Sequence, residues 1–481
     1  MTTGQISDTP AMGAATVQGL RDALRGELVL PGDTAYEEAR SVWNGMIDRR
    51  PGLIARCAGT SDVIAAVGFA RSEGLTVAVR GGGHNVAGTS TCDGGLVIDL
   101  SQMKEARVDA DARTVKAQGG LTWGELDHAT QAFGLATTGG LVSSTGIAGF
   151  TLGGGIGWLM RKHGLACDNL IGAELVTADG QTIRASETER AELLWGLCGG
   201  GGNFGVVTEF EFRLHPVAQV FGGLVAWPAQ HAGDVLRFWR DWVHATPDEL
   251  CTMAVFMYAP PEPFIPPEIH GTPIVAIACV HLDPDGAAPG DVQPLRDLGP
   301  AIDVLGPMPY TAIQSMFDAG APRGSRNYWR SGYLAGLSDE AIDAILSFTP
   351  QIPAPLGQFH IHQLGGAMSR VPAGATAVGN RTAGFLMNFI GTWLDPAEDE
   401  ANRGWVRAAS ESMEPYGTGA RYVNFLADED EAMVRSAYEA DAFTRLQNLK
   451  ARYDPTNFFR LNQNIKPAEA LPQSEQSDEV T

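Results

Sequence analysis

The chain has 481 residues, 44% of them hydrophobic and 19% charged, a globular composition with enough chain for more than one core. Its 34 Lys and Arg against 56 Asp and Glu give a net charge of −22, which argues against nucleic acid and anionic membrane as partners. No run of about 18 apolar residues occurs, residues 1–20 lack a leader pattern, and the six cysteines are scattered without a CxxC pair, so a soluble cytoplasmic chain without disulfide framework or metal site is expected.

Residues 1–30 predict a frayed start and then a short helix. LIARC (53–57) has the length of a buried strand. Thr60 or Ser61 is placed to cap a helix over 62–72, with Val63, Ile64, Val67 and Ala70 on one face and Gly74 just past its end. LTVAVR (75–80) completes a strand–helix–strand unit with parallel strands, and GLVIDL (95–100) adds another strand. RVDADARTVKAQ (107–118) alternates on both sides of an Asp-rich centre, a hairpin pattern. An amphipathic helix follows over 122–134, a second hairpin over 173–186 around Asp179-Gly180, a helix over 191–198 and a long alternating strand over 206–214. His215-Pro216 marks a boundary, after which glycine thins and proline rises, with a proline-rich excursion at 260–268. Helices at 231–246 and 338–348 mix with strands at 273–281, 357–364 and 384–390. Residues 450–467 form a compact ending, and 467–481 a polar tail that predicts disorder.

Glycine, at 59 residues, is well above the usual share of about 7%, and it clusters. Arg80-Gly81-Gly82-Gly83-His84-Asn85 directly follows a strand. Consecutive glycines let backbone N–H groups converge on a phosphate, and no Lys-Ser/Thr of a P-loop follows. A second run spans 146–157 and a third 199–205. The third formally matches GxGxxG, but a helix precedes it and a strand follows, the reverse of the dinucleotide-binding order.

RGGGHN (80–85), GGLVIDLS (94–101), TGIAGFTLGGGIGWLMRKHGLACDN (145–169), GGGGNFGVVTEFEF (199–212) and YDPTNFFRLNQNI (453–465) occur in order. Together they resemble the FAD-linked oxidases of the vanillyl-alcohol oxidase type, with a PCMH-type FAD-binding domain, and among them the berberine-bridge-enzyme-like group. The resemblance covers roughly 40–467. It implies an α+β chain: a two-subdomain FAD-binding domain (1–219), an antiparallel-sheet substrate domain (220–447), a segment returning to the FAD domain (448–467) and a tail (468–481). It further implies FAD held by Arg80, Gly81, Gly82, Gly83, His84 and Asn85, with His84 carrying the flavin covalently. The same role extends to Gly139, Gly140, Ser144, Thr145, Gly146 and Gly149, then to Gly154, Gly155, Asn169 and Val207, and finally to Asn462 and Asn464 at the ring's polar edge. The bland alternative for His84 is a loop histidine bonded to backbone.

Relatives often carry a second link from a cysteine; that position falls on Val142, so a single link is expected. Cys167 reads as a small buried hydrophobe. The tyrosine and glutamate that serve as bases in plant relatives correspond to Phe425, in YVNF (422–425), and to the Ser369-Arg370 that follow GGAM (365–368), so neither base carries over. His360 and His362, alternating in QFHIHQL (358–364), share one strand face and are candidates to take a proton near neutral pH; Tyr422 is a third candidate, Tyr258 a weaker one, and Arg370 either orients an acidic substrate or pairs with surface carboxylates. The expected function is an oxidoreductase of secondary metabolism moving hydride from a small molecule (a natural product, an amine or a sugar) to FAD, with oxygen as acceptor. A dehydrogenase, an oxygenating flavoenzyme and a flavin-bearing protein that sequesters a ligand are the alternatives.

Overall fold

A computed structural model describes residues 13–263, 265–353, 355–427 and 431–469. Residues 1–12 of the expected frayed start and 470–481 of the expected tail lie outside the described residues.

The first sheet joins β1 (Glu27–Val29), β2 (Leu53–Arg56), β3 (Val77–Arg80) and β4 (Leu96–Asp99) in the order β1-β2-β4-β3. β4 runs parallel to both β2 and β3 and separates them, so the expected parallel unit has a third strand in its middle. The helix Thr60–Ser72 crosses between them and buries Val63, Ala66, Val67 and Ala70. Two local expectations fail. Ile64 is 37% exposed, because Ala66 takes the fourth place on the buried stripe. Thr60 is the first helical residue and Gly59 precedes it without a side-chain cap. The Asp62 carboxylate instead accepts the backbone N–H groups of Arg25, Gly26 and Ala58, tying the helix start to the chain entering β1.

The next strands are β5 (Ala106–Asp109), β6 (Thr114–Gln118), β7 (Leu135–Ala136), β8 (Leu170–Val176), β9 (Thr182–Ser186), β10 (Val206–Arg213) and β11 (His215–Pro216). Five form an antiparallel sheet ordered β5-β6-β10-β8-β9, which contains both expected hairpins. β7 and β11 pair separately, so His215-Pro216 anchors the chain rather than merely interrupting it. The helix Trp123–Gln131 starts with a capping box between Thr122 and Glu125.

The remaining strands are β12 (Gln219–Pro228), β13 (Leu250–Tyr258), β14 (Pro273–His281), β15 (Ile302–Asp303), β16 (Gly306–Pro309), β17 (Arg326–Leu334), β18 (Gln358–Gln363) and β19 (Phe385–Trp393). They make one antiparallel sheet, β15-β12-β14-β13-β18-β19-β17, with β16 also on β12. One face carries the helices Ala232–Trp242, Asp339–Phe348 and Asp399–Ser412 over a core that includes Trp239, Phe359 and Phe389. The other face looks back at the glycine-rich loops. The architecture is α+β, a two-sheet part with an antiparallel-sheet roof. The helix Ala440–Tyr453 runs across position 448, where the terminal segment is expected to begin. Its Leu446 and Leu449 seat against Gly200 and Gly196, so the return starts inside the helix. Among the described residues no helix is long and apolar enough to cross a membrane.

Candidate active site

The large cavity lies where the first two sheets and the roof meet. β3 ends at Arg80, which is buried and ion-paired to Asp99 Oδ2 at 2.7 Å. The pair fixes the strand end; Arg80 itself does not border the cavity, whereas Gly81, Gly82, Gly83, His84 and Asn85 do. A Cβ on Gly82 would stand 2.5 Å from the Gly146 backbone, and one on Gly146 would stand 2.4 Å from Gly82 N. Glycine at both positions is therefore required for the two loops to touch.

The His84 ring stacks on Trp43 at 4.0 Å between centroids and 16° between planes. Trp43 is itself held by its backbone N–H donating to Gly83 O and its indole N–H donating to Ala321 O, both at 3.0 Å. Burial, then the Arg323 charge, press the His84 pKa down to about 4, so the ring is neutral at physiological pH. Its Nε2 is buried without a hydrogen-bond partner, as are Asn85 Oδ1, Ser90 Oγ and Asn462 Oδ1 on the same wall. An apolar slot continues past the loop between Val77, Val79, Leu100, Val207 and Phe459.

The roof is built by alternation. Gln358, His360 and His362 on β18, Asn388, Ile390 and Thr392 on β19, and Asn327 and Trp329 on β17 all border the cavity. Their strand neighbours, such as Phe359, Ile361 and Phe389, face the helices. His360 stands opposite Asn388 in the register, and its Nε2 lies 2.7 Å from Gln358 Oε1. Burial lowers the His360 pKa to about 3 and that of His362 well below its usual value, with the neighbouring ring lowering it further. The expected proton uptake near neutral pH is therefore corrected: with no carboxylate beside them both rings stay neutral. None of the side chains bordering the cavity, among the described residues, is Asp, Glu, Lys or Arg.

Gly140, Thr145, Gly146, Gly149, Val207 and Asn462 also border the cavity, and so does Val142. Other expected site residues stand behind the wall. Tyr422 turns away: its Oη accepts from the N–H of Gly155 at 2.9 Å, of Ile156 at 3.2 Å and from Asn424 Nδ2 at 3.0 Å. Burial raises its pKa, and it positions the 153–156 turn instead of reaching the site. Asn169 spends Nδ2 on His163 O and Leu165 O, while its Oδ1 lies 2.7 Å from His215 Nε2. Gly139 packs against Trp123 and Gln314. Gly154 and Gly155 take φ of +110° and +87° to form the turn that Tyr422 holds. Ser144 and Asn464 lie outside the cavity wall. Cys167 is buried behind it, Tyr258 donates to Ile352 O, and Arg370 pairs with Asp248 at 2.6 Å on the surface.

Sequence reading missed Trp43, Phe317, Trp329, Gln358 and Asn388. The usable signal was alternation: Asn388 and Thr392, four residues apart and so on one face, interrupt an otherwise apolar strand and mark a face that meets neither helices nor bulk solvent.

Residues 51–186 match the FAD binding domain family and 421–466 the berberine and berberine-like family. The chain is 31% identical to (R)-6-hydroxynicotine oxidase of Paenarthrobacter nicotinovorans, over 92% of this chain and 97% of that protein. It is also 31% identical to the FAD-linked oxidoreductase YgaK of Bacillus subtilis (strain 168), with the same coverage. The crystal structure of 6-hydroxy-D-nicotine oxidase from Arthrobacter nicotinovorans superposes with a TM-score of 0.83 at 29% identity, covering 92% of this chain and 98% of that one.

Proposed function

The chain belongs to the berberine-bridge-enzyme-like FAD-linked oxidoreductases, and from that premise we propose an oxidase that holds FAD through one covalent bond to His84. It would oxidise a small organic molecule and return the electrons to oxygen. That the protein is an FAD-dependent enzyme follows from the family. The observation that carries the rest is the buried, unpartnered Nε2 of a neutral His84. A neutral imidazole keeps a nucleophilic lone pair, and the Trp43 stack fixes the ring plane.

The site suits the cofactor. Gly81, Gly82 and Gly83 present backbone N–H groups without side chains, the arrangement that holds a pyrophosphate where no cation borders the cavity. Asn85, Ser90 and Asn462 offer unspent polar atoms along the same wall. Val142 has no thiol, which favours a single link. When bound, the flavin supplies the electron acceptor and the route to oxygen, with peroxide as product. The protein supplies the rest. Phe317, Trp329 and Phe425 exclude water from the roof side. His360 and His362, unprotonated far below pH 7, would offer neutral imidazole rings to the substrate side of the cavity. The six free, buried cysteines favour the reducing cytoplasm as the protein's location.

Acid precipitation tests the attachment. Wild-type protein is expected to keep its flavin in the pellet, and His84→Ala to release it. An alanine variant that retains flavin in the pellet would overturn His84 as the link. Mixing reduced enzyme with air-saturated buffer tests the acceptor: reoxidation in seconds with stoichiometric peroxide is expected, whereas reoxidation over many minutes would assign a dehydrogenase.

A further inference from the structure

A second cavity, of about 300 Å³, lies where the end of β13 and the start of β14 meet the helices Ala232–Trp242 and Asp339–Phe348. It shares no bordering residue with the large cavity. Its volume is at the small end of the range for ligand sites, about 300–1,000 Å³.

Most of its wall is apolar. Phe256 and Ile352 are buried, while Leu346, Met257 and Tyr258 are half-buried, so part of the apolar surface stays open to solvent. Gly233 keeps the gap open. A Cβ there would stand 3.2 Å from Leu346 Cδ1 and 3.0 Å from Arg237 Nη1, so any larger side chain would fill the mouth. Glycine is a poor helix residue, and here it leaves room between two helices.

The polar groups on this wall are acceptors. Tyr258 donates its proton to Ile352 O at 3.0 Å, which leaves its oxygen free to accept. Thr349 Oγ1 donates to Ile345 O. Gln230 has its amide nitrogen 3.4 Å from His231 Nε2, so its carbonyl oxygen is unspent. Asp234 is exposed at the rim, and among the described residues its carboxylate has no hydrogen-bond or ion-pair partner. Arg237, one turn further along the helix, is committed to Asp343 Oδ1 at 2.6 Å. No Lys, Arg or His borders the cavity among the described residues. The only formal charge on the wall is therefore negative, on a chain whose net charge of −22 draws cations towards it.

We propose that this cavity is a second ligand site, separate from the flavin cavity, and that it takes a small organic ammonium: a protonated amine on a short apolar body. Asp234 holds the charge, the Gln230 and Tyr258 oxygens accept the remaining N–H groups, and Leu346, Met257 and the Tyr258 ring receive the body.

The test is calorimetric titration of the flavin-loaded protein, without oxygen, at pH 7 and low salt. The probes are 2-phenylethylamine, 2-phenylethanol and 3-phenylpropionate, which are alike in body and differ in charge. The amine is expected to bind about fivefold or more tightly than the alcohol, with the preference shrinking at high salt, and the anion is expected to bind more weakly than both. Asp234→Asn should bring amine and alcohol to the same affinity. Gly233→Leu should weaken both several-fold. Neither residue touches the large cavity, which borders no carboxylate among the described residues, so an unchanged flavin spectrum and melting temperature serve as the controls for folding. Equal affinity for amine and alcohol in the wild-type protein, a preference for the anion, or no binding of the amine at millimolar concentration would overturn the proposal without any variant. Amine binding that survives both substitutions, or that perturbs the flavin spectrum, would place the ligand in another site and overturn it as well.

Discussion

Replacing Tyr422 by phenylalanine removes one oxygen and strands three donors: the N–H groups of Gly155 and Ile156 and the Asn424 amide. Two of these are buried backbone groups, so Tyr422→Phe is expected to lose about 2–3 kcal/mol in urea unfolding, and any loss of turnover should follow flavin occupancy. A pure loss of turnover at full stability and full flavin content would restore Tyr422 as a base. Lys450 makes a parallel case. It is fully buried with Asp454, and its Nζ donates to Asp454 Oδ2 at 2.7 Å, Asn203 O at 2.8 Å and Phe459 O at 2.9 Å. Burial is the larger influence on its pKa and lowers it, and the Asp454 bond opposes that shift. Lys450→Met leaves the Asp454 carboxylate uncompensated and should cost about 3–5 kcal/mol. It also unties Phe459 from the Asn203 loop, so flavin retention should weaken alongside stability.

The decisive elements are two loops and one strand. The glycine loop after β3 was legible because glycines in a row between a strand and a histidine have few other uses. What sequence could not give was the partner of Gly82, since the contact with Gly146 joins residues far apart in the chain. Gly82→Ala must push the two loops apart, and the purified variant is expected to be colourless or nearly so; a fully yellow alanine variant would show that the loops tolerate separation. β18 was legible as a strand with both histidines on one face, but their environment was not. Near-neutral titration presumes solvent or a carboxylate nearby, and the fold supplies neither, so the pKa falls to about 3 at His360. Tyr422 was placed near the pocket by analogy, and only the turn at 153–156 shows which way its hydroxyl points. The cavity rings Trp43, Phe317 and Trp329 come from segments too far apart for any local pattern to connect.

Across the whole molecule, the two-sheet part and the roof are joined at buried polar contacts as well as by apolar packing. Asp127, in the helix Trp123–Gln131, accepts from Gln314 Nε2 at 3.0 Å, across 187 positions of chain. Burial raises its pKa from 3.8 to about 7, and the Gln314 bond only partly opposes this. The folded state therefore holds a proton that the unfolded state has lost between about pH 4 and pH 7. The resulting stability is fully present below about pH 4 and is lost as pH rises through about 7, with a ceiling of about 4 kcal/mol. Asp127→Asn should flatten this slope and raise the melting temperature at pH 8 relative to wild type; an unchanged slope would show that Asp127 ionises freely in the fold. The surface charge of −22 works in the same direction, since self-repulsion grows as carboxylates ionise, so the variant-minus-wild-type difference is the quantity to read.

The central claim is that one neutral histidine at the end of a glycine loop carries the flavin of this enzyme. Peptide mass mapping of the acid-precipitated protein tests it most directly. The account predicts a single flavin-bearing peptide, with the added mass on His84 and every cysteine unmodified. A flavin on any other residue, on two residues at once, or on none would contradict it.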